Sequence, residues 1–98
     1  MIVIATPSEY RDALEKGETD IRTAPDMAAY AGVLYLKKMW EQASAPHRFI
    51  VDCGNDGGLA LAALREGFRA IAFNKNSPVF LKIHDIAAQQ GAVVLENG

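Results

Sequence analysis

Apolar and polar positions along the chain form blocks that predict short strands separated by helices. Four apolar runs, at positions 1–5, 49–51, 68–73 and 92–95, have the Ile-, Val- and Phe-containing composition of buried strands. Ile50, Ile71 and Val93 stand at matching points of the last three runs, 21 and 22 residues apart. This spacing accommodates a strand, a helix and two short loops, so the pattern predicts successive strand–helix units.

Capping and turn residues between the apolar runs predict four helices. Thr6 and Glu9 form a capping box that begins the first helix. Positions 18–23 are mostly polar and are predicted to be a loop. The other helices are expected at 26–43, at 57–66, and from the cap residue Ser77 to the stop at Gly91.

Strands that alternate with helices predict the fold class. Apolar strands of this kind are typical of a parallel sheet that helices cover on both faces. We therefore expect a single α/β domain over residues 1–98. Its predicted architecture is a three-layer α/β/α sandwich, flavodoxin-like or Rossmann-like, around a four-stranded, mostly parallel sheet.

Composition and charge argue against a nucleic-acid partner and a membrane partner, and they favour one cellular compartment. The chain has 98 residues, a formal net charge of −2 and a single cysteine, Cys53. The slight negative charge predicts no nucleic-acid partner. The uncharged stretch from Met27 to Leu36 is shorter than the roughly 20 residues of a membrane span, so no membrane partner is expected. One cysteine cannot form an internal disulfide and the start of the chain lacks a signal-peptide pattern, so we expect a cytoplasmic protein.

Polar loops that follow the predicted strands define a candidate binding site. Ligands of open parallel sheets bind outside the carboxyl ends of the strands, and the helix N-termini in these loops favour an anion. A small anionic ligand is therefore expected at the following residues: Thr6, Ser8, Asp52, Gly54, Asn55, Asp56, Gly57, Gly58, Asn74, Lys75 and Ser77. Glu96 and Asn97, after the last strand, are positioned to join them. The same residue types also serve as caps and turns, so a purely structural role is the alternative.

No motif in these loops identifies a reaction. Residues 54–58, Gly-Asn-Asp-Gly-Gly, match neither the dinucleotide-binding nor the P-loop pattern, and Asp52 and Asp56 would repel a phosphate. Cys53 lies near a helix N-terminus, which lowers a thiol pKa, but both histidines are predicted to lie away from it. The sequence therefore predicts no catalytic residue, no metal site and no cofactor.

The favoured hypothesis for function is a small binding or protein-interaction module without catalytic activity. The alternative is an enzyme or sensor that handles a small anion or phosphate ester. In that alternative Asp52, Asp56 and Lys75 are the working groups.

One family resemblance suggests a second alternative. The run from Asp56 to Leu59, Asp-Gly-Gly-Leu, followed by a Leu/Ala-rich helix, a strand and Ser77-Pro78, resembles STAS domains, the antagonist modules of bacterial sigma-factor switches. The resemblance covers about the last half of the chain. Gly57 stands where that family has its phosphorylatable serine, so the family's site is not carried over. The resemblance implies a regulatory interaction domain.

The predicted helix at 26–43 carries a candidate interface. Ten residues, Met27 to Leu36, have no charge and place apolar groups on every side, whereas a sheet covers one face of a surface helix. Four residues are left over and predict a homodimer through this helix: Met27, Tyr30, Ala31 and Leu34. Cover from within, by the first helix with Tyr10 and Leu14 or by the loop from Glu18 to Thr23, is the alternative.

Overall fold

The described part of the chain folds into five strands and five helices that alternate along most of its length. The structure is a computed structural model, and it describes residues 1–43 and 45–97. The elements are β1 (Ile2–Ile4), α1 (Pro7–Glu15), β2 (Asp20–Thr23), α2 (Met27–Ala31), α3 (Val33–Glu41), β3 (Arg48–Asp52), α4 (Gly57–Arg65), β4 (Ala70–Asn74), α5 (Phe80–Gln89) and β5 (Val93–Asn97).

The strands form one parallel sheet in which spatial order follows chain order, β1-β2-β3-β4-β5. The predicted α/β class and parallel sheet are confirmed, but the sheet has five strands where four were expected. The additional strand is β2, in the segment predicted to be a loop. Its four residues alternate, with Ile21 and Thr23 buried and Asp20 and Arg22 on the other face. A strand this short holds only two buried positions, one of them polar, so it has no apolar run to reveal it.

All five helices lie against one face of this sheet. The main core joins residues of every helix with side chains such as Ile21, Val51 and Ile71, which share a face by register. Crossovers between neighbouring parallel strands are right-handed, so a sheet whose order follows the chain receives each helix on the same side. The content of strands and helices fits a flavodoxin-like or Rossmann-like protein. The expected second helical layer is corrected to a single layer, since no described helix contributes to the apolar cluster on the opposite face.

The opposite face of the sheet is closed by side chains of the strands. Ile50, Ala70 and Ala72 are fully buried there, with Leu95 packed against them. At the end of the same face Arg22 on β2 donates a hydrogen bond to Asn97 on β5, although β3 and β4 lie between. In a flat sheet three strand spacings would hold these strands about 14 Å apart. The long Arg22 side chain and Asn97 therefore reach across β3 and β4 at the end of this face.

The predicted helix over 26–43 is two helices, because the chain breaks at Gly32. Gly32 has φ +91°, which ends α2 and places the following residues in α3 at a new angle. Its N–H donates to the Ala28 carbonyl at 3.0 Å, and its carbonyl accepts from the Leu36 N–H at 3.2 Å. Gly32 therefore satisfies one hydrogen bond of each helix while it turns the chain between them.

Substitution of Gly32 by Ala is expected to destabilise the fold by about 1–2 kcal/mol, the cost of holding a Cβ-bearing residue at positive φ. A Cβ at this position meets no atom within 4 Å, so backbone strain is the sole source of the loss. Gly58→Ala in the first turn of α4 is the matched control and is expected to be neutral or slightly stabilising. Urea unfolding followed by circular dichroism measures both, and equal losses would contradict the explanation.

Candidate functional site

Asp52, the last residue of β3, is the centre of the polar cluster at the carboxyl ends of the strands. Its side chain is 5% exposed and accepts three hydrogen bonds. Oδ2 accepts from the Arg22 guanidinium at 2.9 Å, and Oδ1 accepts from the Gly54 N–H at 2.9 Å and the Asn97 amide at 3.0 Å. Asp52 is therefore an ion-paired structural carboxylate that ties β2, β3 and β5 together.

The expectation that Asn97 joins this edge of the sheet agrees with the geometry, whereas Arg22 was not anticipated. Arg22 lies in the segment predicted to be a loop, so nothing in the local sequence placed it beside Asp52. The alternation of charged and less polar residues from Asp20 to Thr23 was the one sequence signal for a strand in this segment. Thr23 points to the helical side, where its hydroxyl accepts the Asp52 N–H at 2.9 Å.

Other polar side chains of the predicted site form caps and turns. Thr6 accepts the Glu9 N–H at 3.1 Å and caps α1, and Asp56 accepts the Leu59 N–H at 3.0 Å and caps α4. Asn74 accepts the Asn76 N–H at 2.8 Å. Their oxygens are engaged by the backbone, as the structural alternative anticipates.

Ser77 serves a turn instead of the predicted helix cap. Its hydroxyl accepts the Val79 N–H at 3.3 Å, and α5 begins only at Phe80. The reason is that Pro78 and Val79 continue the turn after Asn74, so the helix starts three residues after Ser77.

The loops after β3 and β4 meet each other and the end of β5, but the loop after β1 lies apart from them. The Asn74 N–H donates to the Gly54 carbonyl and the Lys75 N–H to the Asn97 carbonyl, both at 2.8 Å. Gly57 and Gly58 open α4 beside these loops. Asn55 and Lys75 are exposed.

Thr6 and Ser8 belong to the other end of the edge. β1, which they follow, is separated from β4 by two strands. Ser8 is exposed on α1, whereas Thr6 lines a separate groove. The eleven predicted residues therefore fall into two groups along this edge of the sheet.

Cys53 lies in an environment unsuited to nucleophilic chemistry. It is 2% exposed, and its thiol donates to the Val51 carbonyl at 3.6 Å. Burial, with the carboxylates of Asp52 and Asp56, raises the pKa of the thiol to about 12. His47 bonds the Tyr10 hydroxyl at 2.8 Å, beyond the start of β3. Within residues 1–43 and 45–97, no three His, Cys, Asp or Glu side chains gather as metal ligands.

A groove lies between α1 and the α2–α3 pair, beside the carboxyl ends of β1 and β2. Its apolar part has a volume of about 570 Å³ and is lined by Ala5, Thr6, Pro7, Ala24, Pro25, Asp26, Met27, Tyr30, Ala31 and Tyr35. Its basic part, of about 360 Å³, shares Pro7 and Tyr35 and is also lined by Tyr10, Arg11, Leu14, Lys38, Met39, Gln42 and Ala43. We call both parts together the α1–α3 groove.

Large apolar side chains of α2 and α3 are exposed at this groove, which Tyr30 and Tyr35 line and to which Leu34 is adjacent through its neighbour Tyr35 on α3. Tyr30 is 94% exposed, Leu34 64% and Tyr35 45%. Met27, predicted at the interface, is buried at the base of the groove, because α2 packs its Met27–Ala28 side on the core. Ala31 is half-buried in the wall. The α1 residue Tyr10 faces the core, so α1 does not cover Tyr30 or Leu34.

Comparison with known proteins yields no relative: no family model, no curated protein and no solved structure matches the chain. Among the helices described, none has the length and apolar character needed to cross a membrane.

Substitution Asp52→Ala is expected to destabilise the fold by about 2–3 kcal/mol. It leaves the largely buried Arg22 without its carboxylate partner, with only the Asn97 amide oxygen as acceptor, and it leaves the Gly54 N–H without its acceptor. The matched control is Asp20→Ala, which removes an exposed ion pair with Arg48 at the other end of the same two strands and should cost less than about 1 kcal/mol. Chemical unfolding measures the free energy of unfolding of both variants. Similar losses would show that the Asp52 cluster stabilises the fold no more than the exposed ion pair does.

Proposed function

We propose that this chain is a non-catalytic protein-interaction module that docks a partner protein through the α1–α3 groove. The partner proposed is a second copy of the chain, in a homodimer formed through α2 and α3. The observation that carries the proposal is Tyr30, whose side chain stands almost wholly in solvent beside an apolar groove.

Exposed aromatic surface of this kind favours association. Tyr and Met are enriched at interfaces, and contiguous apolar patches on monomeric proteins are usually binding sites. Burial of a Leu side chain such as Leu34 contributes about 1.5–3 kcal/mol. The segment from Met27 to Leu36 carries no charge, so two copies would bring no like charges together there.

The polar loops give less support to catalysis. Asp52 and Asp56 accept hydrogen bonds from within the protein, and the thiol of Cys53 is held neutral by its raised pKa. An acid–base pair or an activated nucleophile is what a reaction would require. This supports the non-catalytic hypothesis over the enzyme alternative.

Two further hypotheses have narrower support. The exposed Lys75, whose N–H bonds the Asn97 carbonyl, is the observation that favours small-anion handling at the β3–β5 loops. The STAS-like resemblance suggests a regulatory role, but β1 and β2 pair in parallel where that family opens with a hairpin.

Substitution Tyr30→Glu is expected to produce a folded monomer from a native dimer, because the charge would be buried unpaired at the interface. Tyr30 makes so little contact within the chain that the fold should survive, as circular dichroism would verify. The matched control is Leu81→Glu on α5, also exposed but two helices away along the sheet, which should leave the dimer intact. Sedimentation at micromolar concentration measures the association state of both variants. A native protein that is already monomeric would refute the homodimer.

A thermal-shift screen with inorganic phosphate, nucleotides and Mg²⁺ separates this proposal from the anion-handling alternative. The interaction module should show no shift. A ligand present at about 100 times its Kd would add roughly 2.7 kcal/mol of stability. A shift that Lys75→Ala abolishes would instead establish an anion site at the β3–β5 loops.

A further inference from the structure

The α1–α3 groove carries opposite charges at its two ends. Asp26 is the charged residue that lines its apolar part, at the carboxyl end of β2, and Arg11 and Lys38 are the charged residues that line its basic part. All three are exposed, and none forms an ion pair with another residue in the described part of the chain. The groove is therefore polarised, with uncharged apolar surface between the ends.

A polarised surface constrains how two copies of it can pair. A closed two-fold interface brings residue i of one copy to residue j of the other, and j to i. Where the ends are opposite in charge, an antiparallel alignment joins acid to base at both ends. An alignment that brings equivalent ends together joins acid to acid and base to base.

We infer that two copies pair about a two-fold axis with their α3 helices antiparallel. Asp26 of each copy then faces Arg11 and Lys38 of the other, with Tyr30 and Leu34 near the axis. This inference rests on the proposed function, because it specifies the partner and alignment of the same surface.

The exposed apolar area of this surface is small, so the charges at its two ends decide how two copies align. Tyr30, Leu34 and Tyr35 together offer about 400 Å² per copy, roughly half of the standard 800 Å². A dimer of that size is weak, so end charges determine which alignment is populated. Glu15 and Glu41 lie on α1 and α3 but do not line the groove.

The test uses the dimer dissociation constant from analytical ultracentrifugation at low ionic strength. The double variant Arg11→Glu/Lys38→Glu makes both ends acidic and is expected to weaken association about tenfold or more, since each reversal occurs twice in a two-fold dimer. Asp26→Asn alone should also weaken association. Added to the double variant, the same Asp26→Asn should strengthen association, because it removes the repulsion.

Asn is chosen at position 26 because Asp26 has φ +70°, a conformation that Asn tolerates. Circular dichroism confirms that each variant is folded. The Tyr30→Glu variant, measured in parallel, tests whether the surface around Tyr30 mediates association at all.

A reversal in the sign of the Asp26→Asn effect between the two backgrounds supports the antiparallel pairing. The same sign in both, or no effect, overturns it. If Tyr30→Glu still dissociates the dimer in that case, the interaction surface stands and only the alignment fails. If neither Tyr30→Glu nor the charge variants change association, or if the native chain does not associate, both the alignment and the proposed function are wrong.

Discussion

The right-handed crossover between neighbouring parallel strands is the constraint on which the rest of this structure depends. Because the strand order follows the chain, every crossover delivers its helix to the same face of the sheet. The other face must then exclude water without a helix. It does so with side chains of the strands themselves, in which Ala70 and Ala72 pack with Ile50 and Leu95.

The polar cluster at the carboxyl ends of the strands follows from the same constraint. Asp52, Arg22 and Asn97 come from three different strands and converge because the Arg22 and Asn97 side chains reach toward Asp52 from either side of β3. A carboxylate at 5% exposure requires partners for its oxygens, and these two side chains with the Gly54 N–H supply them. At the end of β3, the position typical of a ligand in an open parallel sheet thus holds the protein's own hydrogen bonds.

The α1–α3 groove exists because the crossover from β2 to β3 contains two helices. Gly32 turns the chain between them, so the five residues of α2 pack against β3 while α3 packs beside α4. That offset leaves apolar side chains of α2 and the start of α3 outside the core. Tyr30 and Leu34 are consequently exposed, although they belong to an uncharged stretch whose apolar composition is typical of a buried segment.

Local sequence determined much of the fold. Apolar runs around Ile50 and Ile71 identified strands, Thr6 and Asp56 stand at the starts of helices, and the spacing of the units indicated a parallel sheet, because each of these signals arises within a few residues. Tyr30 and Leu34 were likewise identified as surplus apolar surface from their segment alone.

Only the tertiary structure decided what depends on distant neighbours. The four residues of β2 are a strand because β1 and β3 pair with them, and the helices form one layer because of strand order, which no local pattern encodes. Arg22 and Asp52 are 30 residues apart in the chain, and their pairing required the sheet to place them side by side. The sequence therefore determined which residues are apolar, capped or charged, and the fold decided which of them remain available to a partner, because exposure is a property of the packed chain.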